Sequence, residues 1–338
     1  MLRGSVVVGL LWSACAAALN IALTGSNSGI GRSAAAMLVS QGHTIYHACR
    51  TEEGAQEAVK AAGGGVPMVC DLSDLSSVRA FAEALSEAAP DLDVLCLNSG
   101  VSPSRKAASA QRTRDGFEAT IGINHIGHFC LANLLQPLLA KRSGRLVVTA
   151  SGVHDPESPG GLVQGDPATG ATLGDLSGLG AQPGAGGASM VDGATVFNGA
   201  KAYHDSKLCN VLFSREAHRR WGDSISVRSF NPGLITDTGL FRAARQDNFF
   251  GTAVFSFVAT NVAGFSQPVE VGGARLSYMA TADETEVPSG SYFSAPSATS
   301  KAATVADGFA AARVSKEALD DELAAQLWDR SMEVVALS

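Results

Sequence analysis

The chain has 338 residues, enough for one large α/β domain with a well-buried core or for two small domains. With 46% hydrophobic and 17% charged residues it reads as a folded chain around a buried parallel sheet, whose strands show as continuous apolar runs. A net charge of −7 without any basic block excludes nucleic acid as a partner, since the phosphate backbone demands clustered Lys and Arg.

At the N-terminus, Met1-Leu2-Arg3-Gly4 precedes an apolar run from Ser5 to Leu19 that ends in small residues, Ala14, Cys15, Ala16, Ala17 and Ala18. One positive charge, an apolar stretch and small residues form the pattern of a signal or short anchor, too short for a membrane span. Residues 1–19 are therefore expected to be a leader, and 20–338 the domain. The alternative is an apolar extension packed on that domain.

From Asn20 onward, apolar runs alternate with helix-like periodic stretches, the sign of a parallel sheet covered by helices. Strands are expected at Asn20–Thr24, Thr44–Cys49, Val66–Cys70, Leu92–Leu97 and Arg145–Ala150. Between them lie helices at Ile30–Gln41, Glu52–Ala62 and Leu75–Ala88, and one long helix at Phe117–Ala140. Ser158–Gly193 breaks the rhythm. It is rich in Gly, Pro, Ala and Ser, with a few apolar anchors such as Leu173, Leu176 and Met190, and reads as irregular surface chain. A helix at Ala202–Trp221 and a strand at Ser224–Phe230 follow, then a second variable region, Gly239–Gln267. A helix at Val269–Ala280, a strand at Gly290–Phe293 and a helix at Lys316–Val335 close the chain. One Rossmann-type doubly wound parallel sheet, with helices on both faces, accounts for the pattern.

The six cysteines form no CxxC pair and no metal-spaced group with histidine, so they read as buried reduced thiols. His125, His128 and His154 lack a third ligand at suitable spacing and read as packing or hydrogen-bonding residues; no metal is expected.

Chemistry concentrates at the carboxyl ends of the strands. In Thr24-Gly25-Ser26-Asn27-Ser28-Gly29-Ile30-Gly31, Gly25 stands at the sharp turn after the first strand. Gly29 and Gly31 let a pyrophosphate reach the N–H groups of the helix N-terminus. Arg50 ends the second strand where an acidic residue would bind a ribose 2′-hydroxyl; an Arg there favours the 2′-phosphate of NADPH, with Arg32 assisting. Asp71 with Leu72 after the third strand, and Asn98-Ser99-Gly100 after the fourth, are placed to meet the adenosine. Tyr203 and Lys207, at i and i+4, share a helix face, where the cation lowers the phenol's pKa and reaches the nicotinamide ribose. Ser151 is placed to orient the substrate oxygen or Tyr203, and Asn124 to hold a water that links Lys207 to solvent.

Together with Asn124-His125-Ile126-Gly127-His128-Phe129 and Asn231-Pro232-Gly233, these residues resemble the short-chain dehydrogenase/reductase family along the whole core. The resemblance implies a catalytic tetrad of Asn124, Ser151, Tyr203 and Lys207, and an approach of Pro232, Gly233 and Thr238 to the nicotinamide. A narrower resemblance is to the light-dependent protochlorophyllide reductase branch. It is carried by the stretch from Gly199 through Tyr203-His204-Asp205-Ser206-Lys207 to Asn210, by Leu173-Gly174-Asp175-Leu176 and Thr238-Gly239-Leu240-Phe241-Arg242, and by Leu327-Trp328-Asp329-Arg330-Ser331. The chain departs from that branch at Asn231-Pro232-Gly233-Leu234, where Tyr-Pro-Gly-Cys is usual, and Leu234 can neither donate a proton nor ligate.

The branch implies light-dependent reduction of a ring double bond in a protochlorophyllide-like tetrapyrrole, with Tyr203 as proton donor and a plastid location. The Gly/Ala-rich segment 158–193 and the region 239–267 would cover the flat substrate. The alternative is a light-independent carbonyl reductase or retinol-dehydrogenase-like enzyme for a lipophilic alcohol or ketone, at the endoplasmic reticulum or another membrane. A non-catalytic NADPH sensor or pigment carrier is disfavoured by the intact Ser151, Tyr203 and Lys207. Membrane association and a homo-oligomer are left open.

Overall fold

The computed structural model describes residues 17–104, 106–180, 189–236 and 266–336. Its strands are β1 (Asn20–Thr24), β2 (Thr44–Cys49), β3 (Val66–Val69), β4 (Val94–Leu97), β5 (Arg145–Thr149), β6 (Ser226–Phe230), β7 (Tyr292–Ser294) and β8 (Ala310–Ala311). They form one sheet in the order β3-β2-β1-β4-β5-β6-β7-β8, parallel throughout except for the antiparallel β7–β8 pair. Strand order reverses between β1 and β4, the switch point outside which this architecture binds ligands.

The helices are α1 (Gly29–Ser40), α2 (Glu52–Ala62), α3 (Leu75–Ala88), α4 (Ala119–Ile121), α5 (Gly127–Ala140), α6 (Gly199–Trp221), α7 (Val269–Thr281) and α8 (Asp321–Val334). The two-residue period of the strands divides the core between the faces of the sheet. Leu95, Leu97, Leu146 and Val148 pack with Val78, Phe129, Leu208 and Trp328 from α3, α5, α6 and α8. Val94, Cys96 and Val147 point the other way, against Leu38 of α1 and Leu276 of α7. Cys49, Cys70, Cys96, Cys130 and Cys209 are free and buried, as the sequence suggested.

Two expectations are corrected. The long helix over 117–140 is interrupted: α4 ends at Ile121, Gly122–Ile126 is π-helical, and α5 then continues. Inside the widened turn the Asn124 amide grips the Val101 peptide, accepting from its N–H (2.8 Å) and donating to its carbonyl (2.9 Å). The closing helix is also split. Glu317–Leu319 is a 3-10 turn, and Asp320 then caps α8 by accepting from the N–H groups of Glu322 and Leu323, both at 3.0 Å.

The described part of 158–193 is largely irregular and much of it is exposed, as expected, and its apolar anchors are held firmly. Leu173, Leu176, Leu179, Met190 and Val191 are buried, and α6 holds the Thr172 peptide from both sides. Lys201 Nζ donates to its carbonyl (2.7 Å), while the Asp205 carboxylate accepts from its N–H (3.0 Å). Residues 1–16 of the expected leader and residues 239–265 of the second variable region lie outside the described residues. Among the described residues no helix is long and apolar enough to cross a membrane.

Candidate functional site

The carboxyl ends of the strands open onto a cleft of about 1620 Å³. Its first wall is the turn between β1 and α1. Gly25 takes φ +70°, and a Cβ there would lie 2.6 Å from Ser99 Oγ. At Gly31 a Cβ would stand 2.3 Å from the Gly25 carbonyl oxygen, so glycine is what lets the helix start beneath the loop. Asn27, Ser28, Gly29, Ile30 and Gly31 line the cleft with Gly25. Ser26 does not. It is buried under the loop, where its Oγ donates to His47 Nδ1 (3.0 Å) while Nε2–H of that ring donates to the Gly64 carbonyl (2.9 Å).

Arg50 is exposed at the end of β2 and lines the cleft, as do Asp71, Leu72, Asn98, Ser99 and Gly100; Arg32 does not. The Asp71 carboxylate accepts from Ser73 N–H (3.0 Å) and Ser73 Oγ (2.7 Å). Thr24 Oγ1 accepts from the N–H groups of Asn98 (2.8 Å) and Ser99 (3.0 Å), which pins the end of β4 to β1. His128 extends this link: Nδ1–H donates to the Asn124 carbonyl (3.1 Å), leaving Nε2 to accept from Thr24 Oγ1 (3.0 Å). His125 Nε2 meets Ser331 Oγ at 2.9 Å, so these histidines serve packing and hydrogen bonding.

Ser151, Tyr203 and Lys207 converge on the second wall. Lys207 is 3% exposed, with Nζ 3.2 Å from the Thr149 carbonyl and 5.6 Å from the centre of the Tyr203 ring. Burial lowers its pKa to about 8. Burial raises Tyr203 well above the ordinary phenol value, and the hydrogen-bonded Ser151 hydroxyl opposes that rise. The Ser151 hydroxyl thus draws Tyr203 down, a part the sequence analysis gave to Lys207 alone. Asn124 does not line the cleft. Its amide is consumed by Val101 and by Ser206 Oγ (2.9 Å), so its side chain has no proton left for a water.

Pro232, Gly233 and Leu234 line the cleft beyond β6; Thr238 lies outside the described residues. Sequence reasoning missed Arg275, 1% exposed in α7. Its guanidinium donates to the carbonyls of Pro232 (2.8 Å), Ser300 (2.7 Å) and Ala302 (2.8 Å), which fixes the Pro232-Gly233 turn. The only signal was an arginine amid the small and apolar residues of that helix. His154 and Tyr292 were likewise not assigned to the cleft, and they line it, as does Asn231. Of the segment 158–193, the described residues that reach the cleft are Ser158, Pro159, Gly160 and Gln164, while Ala171, Leu173, Leu176, Leu179 and Val191 join the core cluster that includes residues of α6 and α8.

The model of the short chain dehydrogenase family matches residues 20–163. The chain is 36% identical over 331 residues to "Protochlorophyllide reductase A, chloroplastic" of Triticum aestivum, covering 94% of this chain and 80% of that one. It is also 36% identical to "Protochlorophyllide reductase" of Avena sativa, covering 94% of this chain and all of the other. Among solved structures, a protein of Mycobacterium Paratuberculosis superposes with a TM-score of 0.65 at 26% identity, over 94% of this chain and 93% of its own.

Proposed function

Because the chain belongs to the short-chain dehydrogenase/reductase family, an oxidoreductase family, we propose that it reduces a ring double bond of a protochlorophyllide-like tetrapyrrole with NADPH, in light, inside a plastid. The observation that carries this reading is one cleft that gathers the glycine loop, Arg50 and the Ser151–Tyr203–Lys207 group. Its volume exceeds the roughly 300–1,000 Å³ of ordinary ligand pockets, which suits a dinucleotide together with a bulky flat substrate. The names of the relatives supply the substrate class and the compartment.

The residues present fit NADPH. The loop from Gly25 to Gly31 would hold the pyrophosphate, Arg50 the 2′-phosphate, Asp71 the adenine and Lys207 the nicotinamide ribose. When bound, NADPH supplies the hydride. Tyr203 gives its phenolic proton to the neighbouring carbon, Ser151 orients that phenol, and the Lys207 ammonium offsets the charge left behind. With Leu234 in the cleft where the branch usually has a thiol, Tyr203 is the proton source.

The test is an absorbance spectrum of the purified protein with NADPH and protochlorophyllide, before and after a flash, against a dark control. A product band formed only after light supports the reading. Bound NADPH with no light-dependent change sinks it, and dark NADPH oxidation with ketones then tests the carbonyl reductase alternative.

A further inference from the structure

Gln164 is exposed and lines the cleft, at the tip of a small hairpin that α6 holds in place. Val163 and Asp166 pair as an antiparallel bridge, closed by the Asp166 N–H donating to the Val163 carbonyl (3.0 Å). Thr169 braces the hairpin from behind. Its Oγ1 accepts from the Val163 N–H (2.8 Å) and donates to the Asp166 carbonyl (2.7 Å). The Thr169 carbonyl in turn accepts from Nδ1–H of His204, the residue that follows Tyr203 (2.7 Å). Thr169 and His204 are both buried, so the hairpin tip keeps a fixed place relative to Tyr203.

The residue at that tip is not the one the turn favours. Gln164 and Gly165 take φ +54° and +78°. A two-residue hairpin turn with both central residues at positive φ is filled at least cost by Asn-Gly or Gly-Gly. Glycine holds the second position, but the first carries a long side chain in the left-handed region. No contact within the fold offsets that strain: among the described residues the Gln164 amide makes no hydrogen bond. Asn231, the other amide beyond β6, differs. Its Nδ2 donates to Ser294 Oγ (3.2 Å) and its Oδ1 accepts from the Gly233 N–H (3.0 Å). We infer that Gln164 is a specificity-determining residue that contacts the substrate, its Nε2–H donating to an oxygen at the edge of the compound reduced in this cleft. The inference rests on the proposed reading of the cleft as a substrate site. A tetrapyrrole or a ketone presents acceptor oxygens at its edge, so the donor end of the amide is the end used.

The full-length protein and its Gln164→Gly and Gln164→Glu variants decide it, with protochlorophyllide as probe in the presence of NADPH. Gln164→Gly removes the amide and relieves the backbone while loosening the unfolded chain, so the thermal midpoint falls by no more than about two degrees. Gln164→Glu keeps the reach of the side chain and loses the donor. Pigment affinity is expected to fall about fivefold in both variants, the loss of one hydrogen bond, with NADPH affinity unchanged. Pigment affinity equal to wild type in either variant overturns the inference and leaves the proposed function standing. A larger drop in the midpoint of Gln164→Gly overturns it by revealing a structural role, and so does a parallel loss of NADPH affinity. If wild type binds no pigment, the proposed function fails. The KM of the three proteins for aromatic keto esters in dark NADPH oxidation then decides Gln164: a KM raised about fivefold in both variants supports it, and equal values overturn it.

Discussion

The two walls of the cleft are built differently. Along β1 to β4 the site is made of backbone: tight turns that follow each strand, glycines that let a helix start beneath a loop, and Thr24 tying two strand ends together. Along β5 to β8 it is made of side chains that grip backbone from far away in sequence. Arg275 holds residues 232, 300 and 302, His154 ties Ser151 to Ser315, and Lys201 with Asp205 clasps Thr172. The first wall suits a ligand that presents the same phosphates and riboses to every member of a family. The second can be re-cut for a substrate without disturbing the first. If so, lesions in the first wall weaken the cofactor, whereas lesions in the second, Lys207 apart, spare it.

The largest effect separates chemistry from binding. Tyr203→Phe removes the proton donor and is expected to lower kcat by about 10²- to 10⁴-fold. NADPH affinity, measured by fluorescence titration, should stay within about threefold of wild type. Gly31→Ala should do the reverse. Its methyl would stand 2.3 Å from the Gly25 carbonyl oxygen, so the loop must move. NADPH is expected to bind about a hundredfold more weakly while pigment binding persists; equal losses of both would erase the division between walls.

The same comparison explains what could be read in advance. The βα units through β4 announce themselves because each strand is a continuous apolar run, and α2 and α3 open on local caps, Thr51 accepting from Gly54 N–H and Asp74 from Ser76 and Ser77 N–H. Both the signal and its cause lie within a few residues. The π-turn around Asn124 was not legible, because it is accompanied by a grip on Val101 that no local pattern encodes. β8 is two alanines with no strand propensity, and its place is set by pairing with β7. The burial of Leu173 and Leu176 was only half visible. The leucines stood out as anchors, but the Gly- and Pro-rich setting hid the side chains of α6 that draw the segment in.

One cofactor test of moderate size sharpens the first wall, and one pH test the second. Arg50→Ala should weaken NADPH by about ten- to fiftyfold and leave NADH unchanged, since only the 2′-phosphate differs. An equal loss for both would remove Arg50 from that role. The second test is pH. With Lys207 lowered to about 8, its ammonium is lost as pH rises through that value, and kcat/KM should fall up to about tenfold per unit above it. Stability linked to this group moves the opposite way. Between about 8 and the unperturbed 10.5 the unfolded chain binds the extra proton, so the Lys207 contribution to stability rises with pH. A loss of activity above pH 8 with no drop in thermal midpoint therefore reports titration, not unfolding.

The smallest effect is expected where the second wall looks most heavily bonded. Arg313 pairs with Asp155 (3.1 Å) and Glu157 (2.9 Å), and Lys316 adds a contact to Glu157 at 3.2 Å. The Arg313 side chain is 68% exposed, however, so water and salt screen each of these attractions. Arg275, almost fully buried, has no solvent to replace its three carbonyl partners. Arg313→Ala should therefore shift the thermal midpoint by no more than about two degrees and KM by less than about threefold, and raising salt should shrink even that difference. A larger, salt-insensitive change would mean that the clasp between residues 155–157 and the β8 segment governs entry to the cleft. The second wall would then depend on its rim as well as on its buried grips.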